Sequence, residues 1–150
     1  MNQTESEAAR VGRWLQEDGE IEALLRSARR IAVVGISDKP ERDSYRVALY
    51  LKDHGYEVIP VNPRLEAWLG IPAVPHLQAI DGPVDIVDVF RRSEETPPIA
   101  EQAVAIGARA LWLQLGVHND ETVRIATAGG LDVVTNRCIK IEHGRLILGR

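Results

Sequence analysis

The chain carries one cysteine, Cys138, in 150 residues, so no internal disulfide can form and a reducing, cytoplasmic setting is expected. Its apolar runs are short, and none approaches the ~20 residues that cross a bilayer as a helix. The opening stretch, MNQTESEAARVGRW, is polar and lacks the apolar core of a secretory signal. Positive charge is not in excess either. A formal net charge of −4 argues against a protein built to grip nucleic acid, so an anionic ligand would need locally clustered cations. Low-complexity tracts, internal repeats and long linkers are missing, as is the GxGxxG dinucleotide fingerprint. What remains, 45% hydrophobic and 27% charged, is an ordinary globular composition, and the length suits a single domain.

Five short apolar runs alternate with helix-like segments: IAVVGI (31–36), EVIPVN (57–62), VDIVDVF (84–90), ALWLQ (110–114) and LDVVT (131–135). Their continuous apolar character predicts strands covered on both faces, as in a parallel sheet. Pro60 removes one ladder hydrogen bond and is expected near the exit of its strand. Between the runs, Asp43 or Ser44 is expected to cap a helix burying Val47, Ala48 and Leu51 and ending at Gly55. Thr96-Pro97 reads as a cap followed by proline at the first helical position, opening a helix through Ile99, Ala103 and Ile106 to Gly107. Asn119 or Asp120 starts another, through Val123 and Ala126 to Gly129-Gly130. Residues 20–29 read as a helix, making 1–29 an N-terminal helical extension, and 64–82 as a loop with one helical turn at most. Alternating strand and helix predict an α/β, Rossmann-like, doubly wound parallel sheet of five strands. Ligands of such sheets lie beyond the carboxyl ends of the strands.

That rule directs attention to four strand exits. GISDKPERDSYR (35–46) offers a turn at Gly35, the Ser37 hydroxyl, helix N-terminal amides near Ser44, and the cations Lys39, Arg42 and Arg46, a set suited to a pyrophosphate. VIPVNPR (58–64) ends on Asn62, Pro63 and Arg64, where an NAD-binding chain places Asp or Glu to hold the ribose hydroxyls. A carboxylate there repels a phosphorylated ribose and Arg64 attracts one; NADP and coenzyme A both carry that phosphate. In VFRR (89–92), Val89 and Phe90 are placed to flank an adenine, with Arg91 and Arg92 positioned for phosphates or stacking. In WLQLG (112–116), Gln114 marks the strand exit, Gly116 permits close backbone approach, and Trp112 reads as core. Cys138, Glu142 and His143 invite a nucleophile reading, including a mixed disulfide of Cys138 with coenzyme A, but cysteine is more often simply buried. No histidine or carboxylate spacing matches a zinc site. His54, His76 and His118 stand alone in the sequence.

Taken together, YLKDHGYEVIPVNPR, VDIVDVFRR, LWLQLGV and NRCIKIEH resemble the small stand-alone CoA-binding proteins, over about Ile31 to His143. Those have a Rossmann-like domain similar to the N-terminal domain of the succinyl-CoA synthetase α subunit. The resemblance implies coenzyme A or acyl-CoA lying across the strand ends. Gly35, Ile36 and Ser37 would line the pyrophosphate, with Arg42 and Ser44 nearby. Asn62, Pro63 and Arg64 would hold the phosphorylated ribose, Val89, Phe90 and Arg91 the adenosine, and Gln114 would stand where the synthetase's pantetheine arm passes. The synthetase's phosphorylated histidine and its nucleotide-grasp fold have no counterpart here. The resemblance therefore implies binding without catalysis, with an NADP-linked oxidoreductase domain or a subunit of a split acyl-CoA synthetase as the alternative. Trp14 and Leu15 offer apolar surface to this chain or to a neighbour, so a homo-oligomer or a protein partner stays open.

Overall fold

Adjacent residues of the central strands belong to opposite cores, which is why the apolar runs are unbroken. In the computed structural model, which describes residues 11–150, Ile31 and Val33 of β1 (Arg30–Val34) pack on one side of a sheet. Ala32 and Val34 pack on the other. β2 (Glu57–Val61), β5 (Ile86–Val89), β6 (Ala110–Leu113) and β7 (Asp132–Val134) complete a five-stranded sheet of order β2-β1-β5-β6-β7. Every pairing in it is parallel.

Three helices cover the first face through Leu24, Val47 and Ile139 among others: α1 (Asp18–Ser27), α2 (Asp43–Asp53) and α5 (Ile139–Leu146). Two cover the second face, α3 (Thr96–Ala105) and α4 (Asp120–Ala128), through Ile99, Ala103 and Ala126. The architecture is the Rossmann-like α/β sheet that the alternation predicts. The chain runs outward from β1 to β2, then returns to build β5 on β1's other side. That reversal opens a crevice at the carboxyl ends of β1 and β5.

Pro60 lies near the exit of β2, as expected, one residue before its end and opposite Val33. β2 is an edge strand, and the Pro60 carbonyl accepts the Val74 N–H on the outer side, so the missing donor interrupts no ladder bond to β1. Several local expectations change. The loop expected over 64–82 contains an antiparallel hairpin, β3 (Ala67–Trp68) and β4 (Ile71–Pro72), and a 3₁₀ turn at Leu77–Ala79. Positive φ at Leu69 (49°) and Gly70 (78°) makes that tight reversal. α2 begins at Asp43 with Arg42 as N-cap and no side-chain cap, so neither Asp43 nor Ser44 caps it. The N-cap of α3 is Glu95; Thr96 lies within the helix, where its hydroxyl donates to the Ser93 carbonyl. Asn119 caps α4 as expected, accepting the Thr122 N–H. α5 was not legible as a helix.

Trp14 and Leu15 pack on this chain. Arg13 and Leu15 exchange backbone hydrogen bonds with Val133, covering the outer edge of β7, and Trp14 stacks on His118. No helix among the described residues is long and apolar enough to cross a membrane.

Candidate functional site

The crevice is built from the turns that leave β1, β2, β5 and β6. Gly35 follows β1 with φ +83°, and a Cβ there would stand 2.5 Å from the Phe90 carbonyl oxygen. Only glycine lets the β1 and β5 exits lie this close. Asn62 ties the β2 exit into the same corner: its amide donates to the Ile36 carbonyl (2.8 Å) and its side-chain oxygen accepts the Arg64 N–H (2.8 Å). The Trp68 indole donates to the Ser37 carbonyl (3.1 Å), so the hairpin braces the Gly35–Ser37 loop from behind.

Around this corner the surface forms adjoining hollows with Phe90 as a shared wall. The first, of 580 Å³, runs between Gly35, Asn62, Pro63, Arg64, Phe90 and Arg91 on one side and Pro75, His76, Leu77, Ile99 and Gln102 on the other. The second, of 510 Å³, is enclosed by Gly35, Ser37, Lys39, Glu41, Arg42, Asp43 and Ser44. A third joins Arg42, Arg64, Arg91, Arg92 and Gln114. A fourth, of 390 Å³, continues past Phe90 and Gln114 to Cys138. Of the twelve positions inferred from sequence, ten line these hollows: Gly35, Ser37, Arg42, Ser44, Asn62, Pro63, Arg64, Phe90, Arg91 and Gln114, the last at the junction of the third and fourth.

Ile36 and Val89 are corrections. Both side chains are wholly buried in the core, so only their backbone is available, and Val89 cannot flank a ring. Three more are partly engaged by the protein. Both polar ends of the Asn62 amide meet the backbone; the Ser44 hydroxyl accepts the Ser37 N–H (3.0 Å); the Gln114 side-chain oxygen accepts the Ile139 N–H (3.1 Å). These residues shape the crevice more than they offer groups to it.

The cations divide cleanly. Arg91 forks onto Glu95 (3.3 and 3.1 Å), and Arg46 pairs with Asp43. The Arg91 hydrogen bond, with the Arg92 N–H, holds the Glu95 carboxyl below its ordinary range. Lys39, Arg42, Arg64 and Arg92 are exposed and have no carboxylate partner among the described residues. The first-turn N–H groups of α2 are left without a side-chain cap at the same wall. Exposed cations and uncapped amides around a concave surface are chemically suited to an anion.

The Cys138–Glu142–His143 trio does not assemble. Glu142 pairs with Arg137 (2.6 Å) and Arg145 (3.1 Å). Burial pushes its carboxyl up, but the two guanidiniums outweigh that and leave it below the ordinary value. The His143 ring meets the Tyr50 hydroxyl (2.8 Å), and its pKa is lowered by burial and then by His54 and Arg26. Only Cys138 faces the crevice. Nor do the other histidines all stand alone. His54 stacks on Tyr50 (3.9 Å), and His118 bridges Thr135 (3.1 Å) and Asp120 (2.7 Å). Among the described residues no cluster suits a metal ion.

Sequence reasoning missed the far wall of the first hollow. Pro75, His76 and Leu77 reach it through the turn that follows the hairpin, and Ile99 and Gln102 through α3. Glu95 was legible in principle, four residues after Arg91. Asp88 was missed too: it is fully buried in mid-strand, and neither carboxyl oxygen has a hydrogen-bond partner. Burial raises its pKa well above the ordinary value, so the group is held neutral.

Three known proteins are similar to this chain in sequence or fold. The chain is 46% identical over 124 residues to the uncharacterized protein YneT of Bacillus subtilis (strain 168), covering 83% of this chain and 92% of that one. A hypothetical protein from Pyrococcus horikoshii OT3 superposes with a TM-score of 0.85 at 40% identity, over 88% of this chain and 93% of the other. The dinucleotide-forming acetyl-coenzyme A synthetase 1 of Ca. Korarchaeum cryptofilum shares the fold over 77% of this chain and 28% of its own, with a TM-score of 0.68 and 23% identity. Residues 29–144 match the family model of the CoA binding domain, and the chain belongs to that family.

Proposed function

We propose that this protein holds coenzyme A or an acyl-CoA non-covalently in the crevice at the carboxyl ends of β1, β2, β5 and β6, without a reaction of its own, in the cytoplasm. The observation that carries the reading is the convergence of Lys39, Arg42 and Arg64, all without carboxylate partners among the described residues, on adjoining hollows that share Phe90. In this reading the pyrophosphate lies against the Gly35–Ser37 turn, the Ile36 backbone, Arg42 and Ser44. The phosphorylated ribose meets Pro63 and Arg64 on the frame Asn62 holds. The adenine packs on Phe90 beside Arg91 and the Val89 backbone, and the pantetheine arm leaves past Gln114. The family membership supports the ligand class. The acetyl-coenzyme A synthetase is matched over only 28% of its length, and its chemistry is not carried over.

A thermal-shift series tests this. Ligand at a hundredfold over its Kd stabilises by about 2.7 kcal/mol, which for a chain of this size is roughly 5–10 °C. The expected order is coenzyme A, then dephospho-CoA, then NAD with almost no shift. A larger shift with NADP than with coenzyme A would replace this reading with an oxidoreductase domain.

A further inference from the structure

The fourth hollow differs in chemistry from the three that hold the unpaired cations. Its apolar and neutral walls are Val47, Phe90, Gln114, Leu115, Cys138 and Ile141, with Asp43, Arg46 and Lys140 also in the lining. Leu115 and Ile141 are large apolar side chains left 64% and 59% exposed. A single exposed leucine needs no explanation, but two facing one concavity, beside Val47 and half-buried Phe90, form an apolar lining open to water. The two arrive from different elements, Leu115 from the turn after β6 and Ile141 from α5, so the lining arises only from the packing of α5 against the sheet. The cations at its rim are engaged: Arg46 pairs with Asp43, and the Lys140 ammonium sits over the Tyr50 ring at 5.7 Å. The hollow also shares Phe90 and Gln114 with the cationic crevice, so a ligand anchored there by its phosphates runs its other end past Gln114 into this lining.

We propose that the fourth hollow is an acyl subsite, and that it makes the protein bind CoA thioesters of short, uncharged aliphatic acids more tightly than free coenzyme A. This rests on the coenzyme A reading above and adds to it a ligand class. An aliphatic chain covers Leu115 and Ile141, whereas a chain ending in carboxylate brings its charge into a lining that already holds the Asp43 carboxylate, with Arg46 engaged by it. Each methylene taken out of water strengthens binding about fourfold. Partial burial of a butyryl chain therefore gives roughly tenfold over coenzyme A.

Isothermal titration of the full chain with coenzyme A, butyryl-CoA and succinyl-CoA tests the proposal. The expected result is butyryl-CoA about tenfold tighter than coenzyme A, with succinyl-CoA gaining nothing over coenzyme A. In the double variant Leu115→Ser/Ile141→Ser the ratio of butyryl-CoA to coenzyme A affinity should fall to about one. Both positions are exposed, so the variant keeps its fold, checked by circular dichroism. Equal affinity of the native chain for coenzyme A and butyryl-CoA would overturn the acyl subsite and leave the coenzyme A reading standing. A ratio unchanged in the double variant would do the same. Binding of neither ligand would overturn both.

Discussion

The two ends of the parallel sheet use the same residue types in opposite ways. At the amino ends, Arg30 donates to Glu57 (3.1 Å) and to the Pro83 carbonyl, and Arg109 reaches Asp85 (3.5 Å) and Ser27 (2.9 Å). Asp85 also accepts the Arg29 and Arg30 backbone N–H groups, at 2.8 and 2.9 Å. At the carboxyl ends, the turns are held together by neutral groups, the Asn62 amide and the Trp68 indole, while Lys39, Arg42 and Arg64 have no carboxylate partner among the described residues. Charge closes the chain on itself at one end. At the other, uncharged hydrogen bonds hold the frame and the charge is left exposed on the crevice walls.

Reversing the unpaired charges should give the largest effect. Arg42→Glu/Arg64→Glu is expected to weaken coenzyme A binding about a hundredfold by calorimetry. Stability in urea should change by less than about 0.5 kcal/mol, because neither side chain holds the fold. A double variant that unfolds would erase the contrast between the ends.

The reciprocal change acts on stability. Asp85→Ala strands two backbone donors and should lower stability by about 2 kcal/mol while leaving coenzyme A affinity intact. Burial pushes the Asp85 carboxyl up, but the Arg30 and Arg29 N–H groups and Arg109 outweigh it and hold its pKa below the ordinary value. Its contribution is thus complete above about pH 4 and is lost as pH falls through the depressed folded-state pKa. Denaturation curves from pH 7 to 2 should show the native and variant chains converging in acid. A constant separation would assign the loss to packing.

Three residues along the chain, Asp88 sharpens the comparison, because a carboxyl between the two ends has neither function. With its pKa raised by burial and no hydrogen-bond partner among the described residues, it disfavours folding as pH rises from about 4 toward its raised folded-state pKa, since the unfolded chain ionises first over that window. Asp88→Val should therefore stabilise the protein at pH 7 by roughly 1–2 kcal/mol and flatten the pH dependence above 4. A variant less stable than the native chain at pH 7 would mean that Asp88 has a stabilising partner.

The strands were legible because runs covered on both faces leave an unbroken apolar signature, and the caps of α4 and the glycines that end helices are local chemistry. The hairpin over 67–72 was not, since two two-residue strands carry no periodicity. Pro60 stands near the exit of β2 as expected, but why it is tolerated there was not legible: a proline is awkward in an interior strand and harmless at an edge, and only strand order says which β2 is. At the site, positions fared better than roles. Gly35, Arg42, Arg64 and Phe90 follow from the rule about strand exits, whereas Asn62 proved to be bracing and the wall from His76 to Gln102 gave no signal.

Residue order by itself determined an alternating α/β chain with glycine, amide and cation at successive strand exits, because those preferences act over a few residues. Tertiary structure alone decided which groups face the crevice. It joined Asn62 to Ile36 across 26 residues and Tyr50 to His143 across 93, and so made a brace of the Asn62 amide and drew His143 away from Cys138. Partner choice between distant side chains depends on register and crossover, which no local pattern encodes.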